Sequence, residues 1–93
     1  MVVGSLRVRL LLRESRSLKD KRQVVRSVKD RLHSTFKVAV AEVDALENRQ
    51  LVVLGIAAVS NEGSHVREIL GQVLAALKSH PVAEMLDHAI EVY

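Results

Sequence analysis

LRVRLLLRESRSLKDKRQVVRSVKDRL, residues 6–32, changes its hydrophobic periodicity partway along its length. Apolar residues alternate with other residues from Leu6 to Leu12, and this period of two is typical of a strand. From Ser17 onward the apolar residues recur every three or four positions, which predicts a helix. Ser17 suits the N-cap because its hydroxyl can accept a hydrogen bond from a free backbone N–H, and Asp20 follows in the first turn. The fold therefore starts with a strand that leads into a helix.

The rest of the chain continues this alternation of strands and helices. The predicted elements are strands at Val2–Leu12, Phe36–Leu46, Leu51–Ser60 and Ala83–Tyr93, and helices at 17–34 and 66–77. The order β-α-β-β-α-β is that of a ferredoxin-like α+β sandwich, in which two helices cover one face of a four-stranded antiparallel sheet of order 4-1-3-2. We expect one such domain over residues 1–93.

The third predicted strand is apolar on both of its faces. In a two-layer fold the face away from the helices usually meets water and carries polar residues, yet Leu51–Val59 has none. A second copy of the same sheet could cover it, so we predict a homodimer or a higher symmetric oligomer. The alternative is a mildly hydrophobic exposed face, kept small by Gly55 and Ala57.

Composition excludes several classes of function. The 93 residues include no cysteine, which rules out disulfides, thiolate zinc sites and a cysteine nucleophile. The apolar run near the start is too short and too interrupted by arginine for a signal peptide or a membrane span, so a cytoplasmic location is expected. We find no glycine-rich phosphate loop, no catalytic constellation and no histidine pair at metal-ligand spacing, and we expect no catalytic residues, no metal and no cofactor.

Charge is distributed unevenly along the chain. Residues 1–37 contain eleven Lys and Arg residues against three acids, and residues 38–93 contain three against eight. Such asymmetry can mark a surface for a polyanion. It can also mean that the two halves form ion pairs with each other after folding. The sequence leaves both explanations open.

Basic side chains form a continuous row along the first helix. At about 100° per residue they fall within an arc of roughly 80°, and we call this row the cationic ridge: Lys19, Arg22, Arg26, Lys29 and His33. Asp30 is placed to pair with Arg26 at i, i+4. The ridge predicts a site for phosphates, although a charged helix surface is also common without any function.

Two other groups of basic residues need a separate explanation. Lys21 points with the apolar stripe of the first helix, so it must either extend past the sheet edge or meet an acid. Arg7 and Arg9 lie on the outward face of the first strand, where acids of the fourth strand could pair with them. Glu42 and Asp44 alternate onto one face of the second strand and could bind a cation or act as acid and base, though pairing with arginine is the simpler interpretation.

The same residues carry a resemblance to a known family. The segments Ser17–Arg22 (SLKDKR), Phe36–Val43 (FKVAVAEV) and Val59–Asn61 (VSN) resemble the small bacterial YlxP-like family of unknown function. This resemblance implies a ferredoxin-like fold and, because members are often encoded beside genes for translation, a connection with RNA or the ribosome. Relatives tend to have a tryptophan where this chain has Glu47–Gln50 and an asparagine where it has Lys37. The family implies no catalytic residues.

Three functional hypotheses follow. The first is an RNA-binding or ribosomal-precursor-binding protein without enzymatic activity, whose phosphate contacts are Lys19, Lys21, Arg22, Arg26, Lys29 and Arg31. The second is a protein-interaction module whose basic helix docks an acidic partner. The third is a small-ligand or enzymatic site at a dimer interface near Glu42, Asp44 and His65.

Overall fold

Six elements follow one another in the order β-α-β-β-α-β in a computed structural model that describes residues 1–93. They are β1 (Val2–Leu11), α1 (Leu18–Phe36), β2 (Ala39–Asp44), β3 (Leu51–Ser60), α2 (Gly63–Lys78) and β4 (Glu84–Val92). The sheet has the order β2-β3-β1-β4, and all three strand pairs are antiparallel. The predicted ferredoxin-like α+β fold is confirmed, because 4-1-3-2 is the same order counted from the other edge.

The core lies between the helices and one face of the sheet. β1 occupies a central position, and its inward residues Leu6, Val8 and Leu10 are almost completely buried. Gly4 lies on the same inward face, and a Cβ atom there would come within 2.2 Å of Val66 Cγ1 on α2. A side chain at this position would collide with α2, so glycine lets the helix pack directly on the strand.

The ends of α1 are fixed by hydrogen bonds from neighbouring residues. Ser17 is the predicted N-cap, and its Oγ accepts a hydrogen bond from the backbone N–H of Asp20 at 3.1 Å. At the other end Lys37 adopts a left-handed conformation (φ 58°), and its N–H donates to His33 O. Neither α1 nor α2 is long and apolar enough to cross a bilayer.

This C-cap corrects the prediction for the second strand. Phe36 was predicted to begin that strand, but it is the last residue of α1 and is half-buried against the core. β2 begins only at Ala39 because Lys37 turns the chain out of the helix. A left-handed lysine has no periodic signature, so the hydrophobic pattern predicts the helix end at Ser34, two residues before the observed end at Phe36.

A β-bulge near the end of β2 places its two acids on opposite faces of the sheet. Glu42 lies opposite Leu54, which faces the core, whereas Asp44 lies opposite Val53, which faces outward. Val43 is the extra residue between them. The prediction that Glu42 and Asp44 share one face is therefore wrong, because strict alternation fails at a bulge.

Candidate cationic binding surface

The basic residues of the first 37 positions separate into two groups. Four of the eleven form ion pairs, and in every case the acid comes from residues 38–93: Arg7–Asp44, Arg9–Asp87, Arg13–Glu84 and Lys21–Glu42. The side chains of the other seven form no ion pair within 4.0 Å, and these residues are Arg16, Lys19, Arg22, Arg26, Lys29, Arg31 and Lys37. Pairing between the two halves thus accounts for only part of the charge asymmetry, and the unpaired cations all lie on α1 or beside its ends.

Three pairs of the first group lie on or beside the outward face of the sheet, and Lys21–Glu42 is the exception. Arg9 donates to Asp87 from Nε at 2.9 Å and from Nη2 at 2.6 Å, and Arg13 Nε donates to Glu84 at 2.6 Å. These hydrogen bonds, with the nearby positive charge, hold the pKa of the Asp87 and Glu84 carboxyls below their ordinary values. Arg9 therefore pairs with β4 as predicted.

Arg7 has a different partner from the one expected. Its Nη2 lies 3.3 Å from Asp44 Oδ2 on β2 and not beside an acid of β4. The bulge explains this contact, because it turns Asp44 onto the outward face, where Arg7 lies. The arginines of β1 are thus paired with acids from the two edge strands, Arg7 with β2 and Arg9 with β4.

The cationic ridge has no such neutralisation. Lys19, Arg22 and Arg26 are exposed and Lys29 is half-buried. The predicted pair between Arg26 and Asp30 is wrong, since no ion pair forms between them. Both side chains are exposed, where hydration competes effectively with a single i, i+4 pair.

Neighbouring elements show which flank of α1 carries the cationic ridge. His33, its last member, has Nδ1 3.1 Å from Val38 O, just before β2. Arg31 lies on the opposite flank and lines the groove toward α2. The ridge therefore lies on the flank away from α2, beside β2, which is an edge strand with one unpaired side.

Lys21 belongs to neither of these surfaces. Its side chain is only 1% exposed, and Nζ lies 2.7 Å from Glu42 Oε2 and 2.7 Å from the carbonyl oxygen of Ala45. Of the two outcomes expected for Lys21, meeting an acid is the one observed. In this conformation its ammonium cannot contact a ligand outside the protein, although Lys21 was among the predicted phosphate contacts.

The contacts of Lys21 help to fix the start of α1 to the β2–β3 turn. Ala45 has a left-handed backbone (φ 54°), and its carbonyl oxygen accepts hydrogen bonds from Lys21 Nζ and from the N–H of Asn48. Ser15, just before α1, donates from Oγ to Arg49 O at 2.6 Å. The helix that carries the cationic ridge is thus held to the turn by side-chain and backbone groups together.

Arg31 lies in a groove between the C-terminal ends of the two helices. This groove has a volume of about 210 Å³, and its walls include Phe36 and His80. Burial first, and the positive charge of Arg31 second, lower the pKa of the His80 imidazole. His80 is therefore held in its neutral form over a wider pH range than an exposed histidine.

The residues of the small-ligand hypothesis are not brought together within one chain. Glu42 faces the core and is paired with Lys21, while Asp44 faces outward and is paired with Arg7. His65 Nδ1 lies 3.0 Å from Ser60 Oγ, at the end of β3 distant from Val53, the residue opposite Asp44. Seven residues of strand separate those two positions, or about 23 Å at about 3.3 Å per residue.

The Lys21–Glu42 pair is the contact that sequence reasoning did not identify. The sequence does contain a signal for this contact. Val38, Val40 and Glu42 are alternate residues of the predicted second strand, so their side chains point to the same face of the sheet. An acid that points inward from a strand requires a buried cation, and Lys21 is the one lysine on the inward stripe of α1.

Comparisons with known proteins identify the family of this chain. Residues 3–90 match the family described as "Protein of unknown function (DUF503)". The chain is also 30% identical over 83 residues to "Uncharacterized protein YlxP" of Bacillus subtilis, an alignment that covers 89% of this chain and 90% of that protein. The chain therefore belongs to the DUF503 family, as its resemblance to YlxP-like proteins predicted.

Proposed function

We propose that this protein binds structured RNA or a ribosomal precursor through the cationic ridge of α1. The observation that carries the proposal is the separation of the basic residues into two groups. Arginines on the sheet meet acids at 2.6 to 3.3 Å, whereas no acid lies within 4.0 Å of any ridge cation. A one-sided group of uncompensated cations gives a positive surface potential that attracts polyanions.

The dimensions of the ridge fit a run of phosphates. Lys19 and Lys29 are ten residues apart, which corresponds to about 15 Å along a helix. A nucleic-acid strand in a duplex carries one charge about every 3.4 Å of its axis, so this length matches roughly four phosphates. Four members of the ridge lie along this length. The fifth member, His33, lies beyond Lys29, and its ring contacts Val38 O. Four contacts correspond to a log–log salt slope of about 2.8 in magnitude for a single strand and about 3.6 for a duplex.

The sheet gives little support for the common mode of single-stranded RNA recognition. That mode stacks bases on aromatic residues of the central strands. The only aromatic residues here are Phe36 and Tyr93, and neither lies on β1 or β3. Binding through the helix, by phosphate contacts and shape, is the mode that the arrangement of charge favours. The preference for RNA over DNA rests on the connection with translation that the family resemblance implies, and the proposed cytoplasmic location rests on the short, arginine-interrupted apolar run near the start.

RNA affinity measured against salt concentration tests the proposal. The test variant is Arg22→Glu, Arg26→Glu, Lys29→Glu, and the matched control is Arg49→Glu, Arg67→Glu, Lys78→Glu. Both variants change the net charge by the same amount, but the control residues lie outside residues 1–37. We expect the test variant to lose binding and the control to keep most of it. Equal binding by the folded test variant and the wild type would overturn the proposal.

The second candidate is a module that docks an acidic protein, and one observation favours it. The cationic ridge lies beside β2, whose unpaired side could accept an extended peptide as an additional strand. An acidic peptide bound there would place carboxylates near the ridge. Ribonuclease treatment separates the two candidates, because a complex with an acidic protein survives it and a complex held by RNA does not.

A further inference from the structure

The outward face of β2 and β3 carries an apolar patch that no element of the chain covers. We define the apolar outer patch as Ala39, Ala41, Val43, Gly55 and Ala57. It forms a shallow depression of about 490 Å³. Val43 is 49% exposed although it is a large apolar residue. A face of this composition normally requires a cover, because alternating polar residues are expected where a sheet meets water.

Small side chains make this patch suitable for close packing against another sheet. Ala39 lies opposite Ala57, and Ala41 lies opposite Gly55, so two successive pairs have little or no side chain. A Cβ atom at Gly55 would come within 2.9 Å of Val43 Cγ1, so glycine lets the valine lie flat across the strand. The side chains of the patch therefore project little from the sheet, which allows close contact with another surface over a wide area.

Charges at the margin of the patch indicate which partner fits. Arg7 borders the depression, and its partner Asp44 lies at the end of β2, with 3.3 Å between Nη2 and Oδ2. Each copy therefore presents one cation and one anion at the same margin. A surface with both signs is complementary to itself when a two-fold axis relates two copies, because each arginine can then approach a carboxylate. A partner whose surface carries charges of only one sign would be attracted by Arg7 or by Asp44, but not by both.

The size of the face is compatible with a small dimer interface. The four strands contain 10, 6, 10 and 9 residues. At about 3.3 Å per residue and about 4.8 Å between strands, they give a projected face of roughly 550 Å². The relief of the side chains raises the accessible area above this value, toward the ~800 Å² per partner of a standard interface.

We infer that a second copy of this chain covers the apolar outer patch, so that two sheets pack face to face in a symmetric homodimer. The apolar pairs of β2 and β3 form the centre of the interface, and the Arg7–Asp44 pairs form its charged margin. The helices then lie on the two outer sides of the dimer, and each copy keeps its cationic ridge exposed. Dimer formation does not depend on RNA binding.

Sedimentation equilibrium at low and high micromolar concentration tests this inference. The test variant is Ala41→Arg, which places a long charged side chain at the centre of the patch. The matched control is Ala75→Arg, at an exposed position of α2 on the other side of the sheet. We expect a dimer for the wild type and the control, and a dissociation constant raised by about tenfold or more for Ala41→Arg.

Two further measurements keep failure to fold apart from failure to dimerise. Circular dichroism of each variant checks the fold, and Ala39→Arg, at the exposed start of β2, provides a second test if Ala41→Arg is unfolded. A wild-type protein that stays monomeric at high micromolar concentration overturns the inference, and so does a folded patch variant that dimerises as tightly as the wild type. The ridge variant Arg22→Glu, Arg26→Glu, Lys29→Glu is expected to dimerise normally, which separates this test from that of RNA binding.

Discussion

The outward face of the sheet and the ridge flank of α1 both carry rows of basic residues, but only one of these rows is neutralised. Arg7, Arg9 and Arg13 are opposed by acids from distant parts of the sequence. Lys19, Arg22, Arg26 and Lys29 follow within a few residues, yet no acid reaches them. The difference teaches that a local excess of charge in a sequence indicates function only after the fold has shown which charges are paired.

The buried pair gives the largest expected effect on stability. Lys21→Met leaves the Glu42 side chain, which is only 13% exposed, without its cation. We expect the free energy of unfolding to fall by about 3 kcal/mol, because a buried carboxylate without a partner is strongly destabilising. Urea denaturation measures this loss. The double variant Lys21→Met, Glu42→Leu removes both charges and should recover most of it, so a double variant no more stable than the single one would contradict a buried ion pair.

Lys21→Met also sharpens the contrast between Lys21 and the cationic ridge. Its ammonium contacts Glu42 and Ala45 O and does not reach the surface. The folded fraction of Lys21→Met should therefore bind RNA as tightly as the wild type. This result is measurable at a low urea concentration or a low temperature, where the variant remains folded. Weaker binding by the folded variant would show that the buried pair and the ridge act together.

A single ridge residue compared with a single sheet residue gives a smaller effect. Arg26→Ala removes one phosphate contact, so RNA affinity should fall by about threefold to tenfold and the magnitude of the log–log salt slope by about 0.7 to 0.9. Arg9→Ala removes the same charge from the sheet and should change neither quantity. Fluorescence anisotropy at several salt concentrations measures both. Equal losses for the two variants would mean that net charge, and not the ridge, determines binding.

Most of the fold follows from the sequence because most of it is encoded locally. Alternation identified the strands, helical spacing identified α1 and α2, and Ser17 proved to be the N-cap. The misplaced boundary at Phe36 and the wrong face for Asp44 have a common cause. A left-handed Lys37 and a bulge at Val43 each shift the chain by local backbone geometry, which hydrophobic periodicity does not describe.

The candidate site was predictable only in part. Helical spacing alone placed Lys19, Arg22, Arg26 and Lys29 on one flank, since residues three and four apart are neighbours on a helix. Their lack of acidic partners depends on contacts between distant segments. Helical spacing also separates Arg31 from the ridge, whereas tertiary contacts place Arg31 in the groove toward α2 and give Lys21 its partner. The composition of a helix predicts which charges share a surface, and the tertiary structure determines which of them remain available.

The Arg9–Asp87 pair predicts a change in titration on the sheet. The hydrogen bond from Arg9 lowers the pKa of the Asp87 carboxyl, so this pair stabilises the fold above the ordinary carboxyl pKa and loses that contribution as pH falls through the lowered value. In Arg9→Ala the pKa of Asp87 should rise toward its ordinary value, as followed by carboxyl NMR titration. A pKa of Asp87 that stays low would show that its charge is stabilised by some other group.

The smallest expected effect concerns Arg31. This cation forms no ion pair with an acid and does not belong to the cationic ridge. Its charge is the second cause, after burial, of the lowered pKa of His80. Arg31→Gln should therefore raise the pKa of His80 only partway toward its ordinary value, as measured by NMR titration of the imidazole. A lowered histidine pKa means that stability is full above the unfolded pKa and decreases as pH falls through the folded pKa, so the variant should lose less stability on acidification. RNA affinity should remain that of the wild type, and a marked loss would place Arg31 on the binding surface together with the ridge.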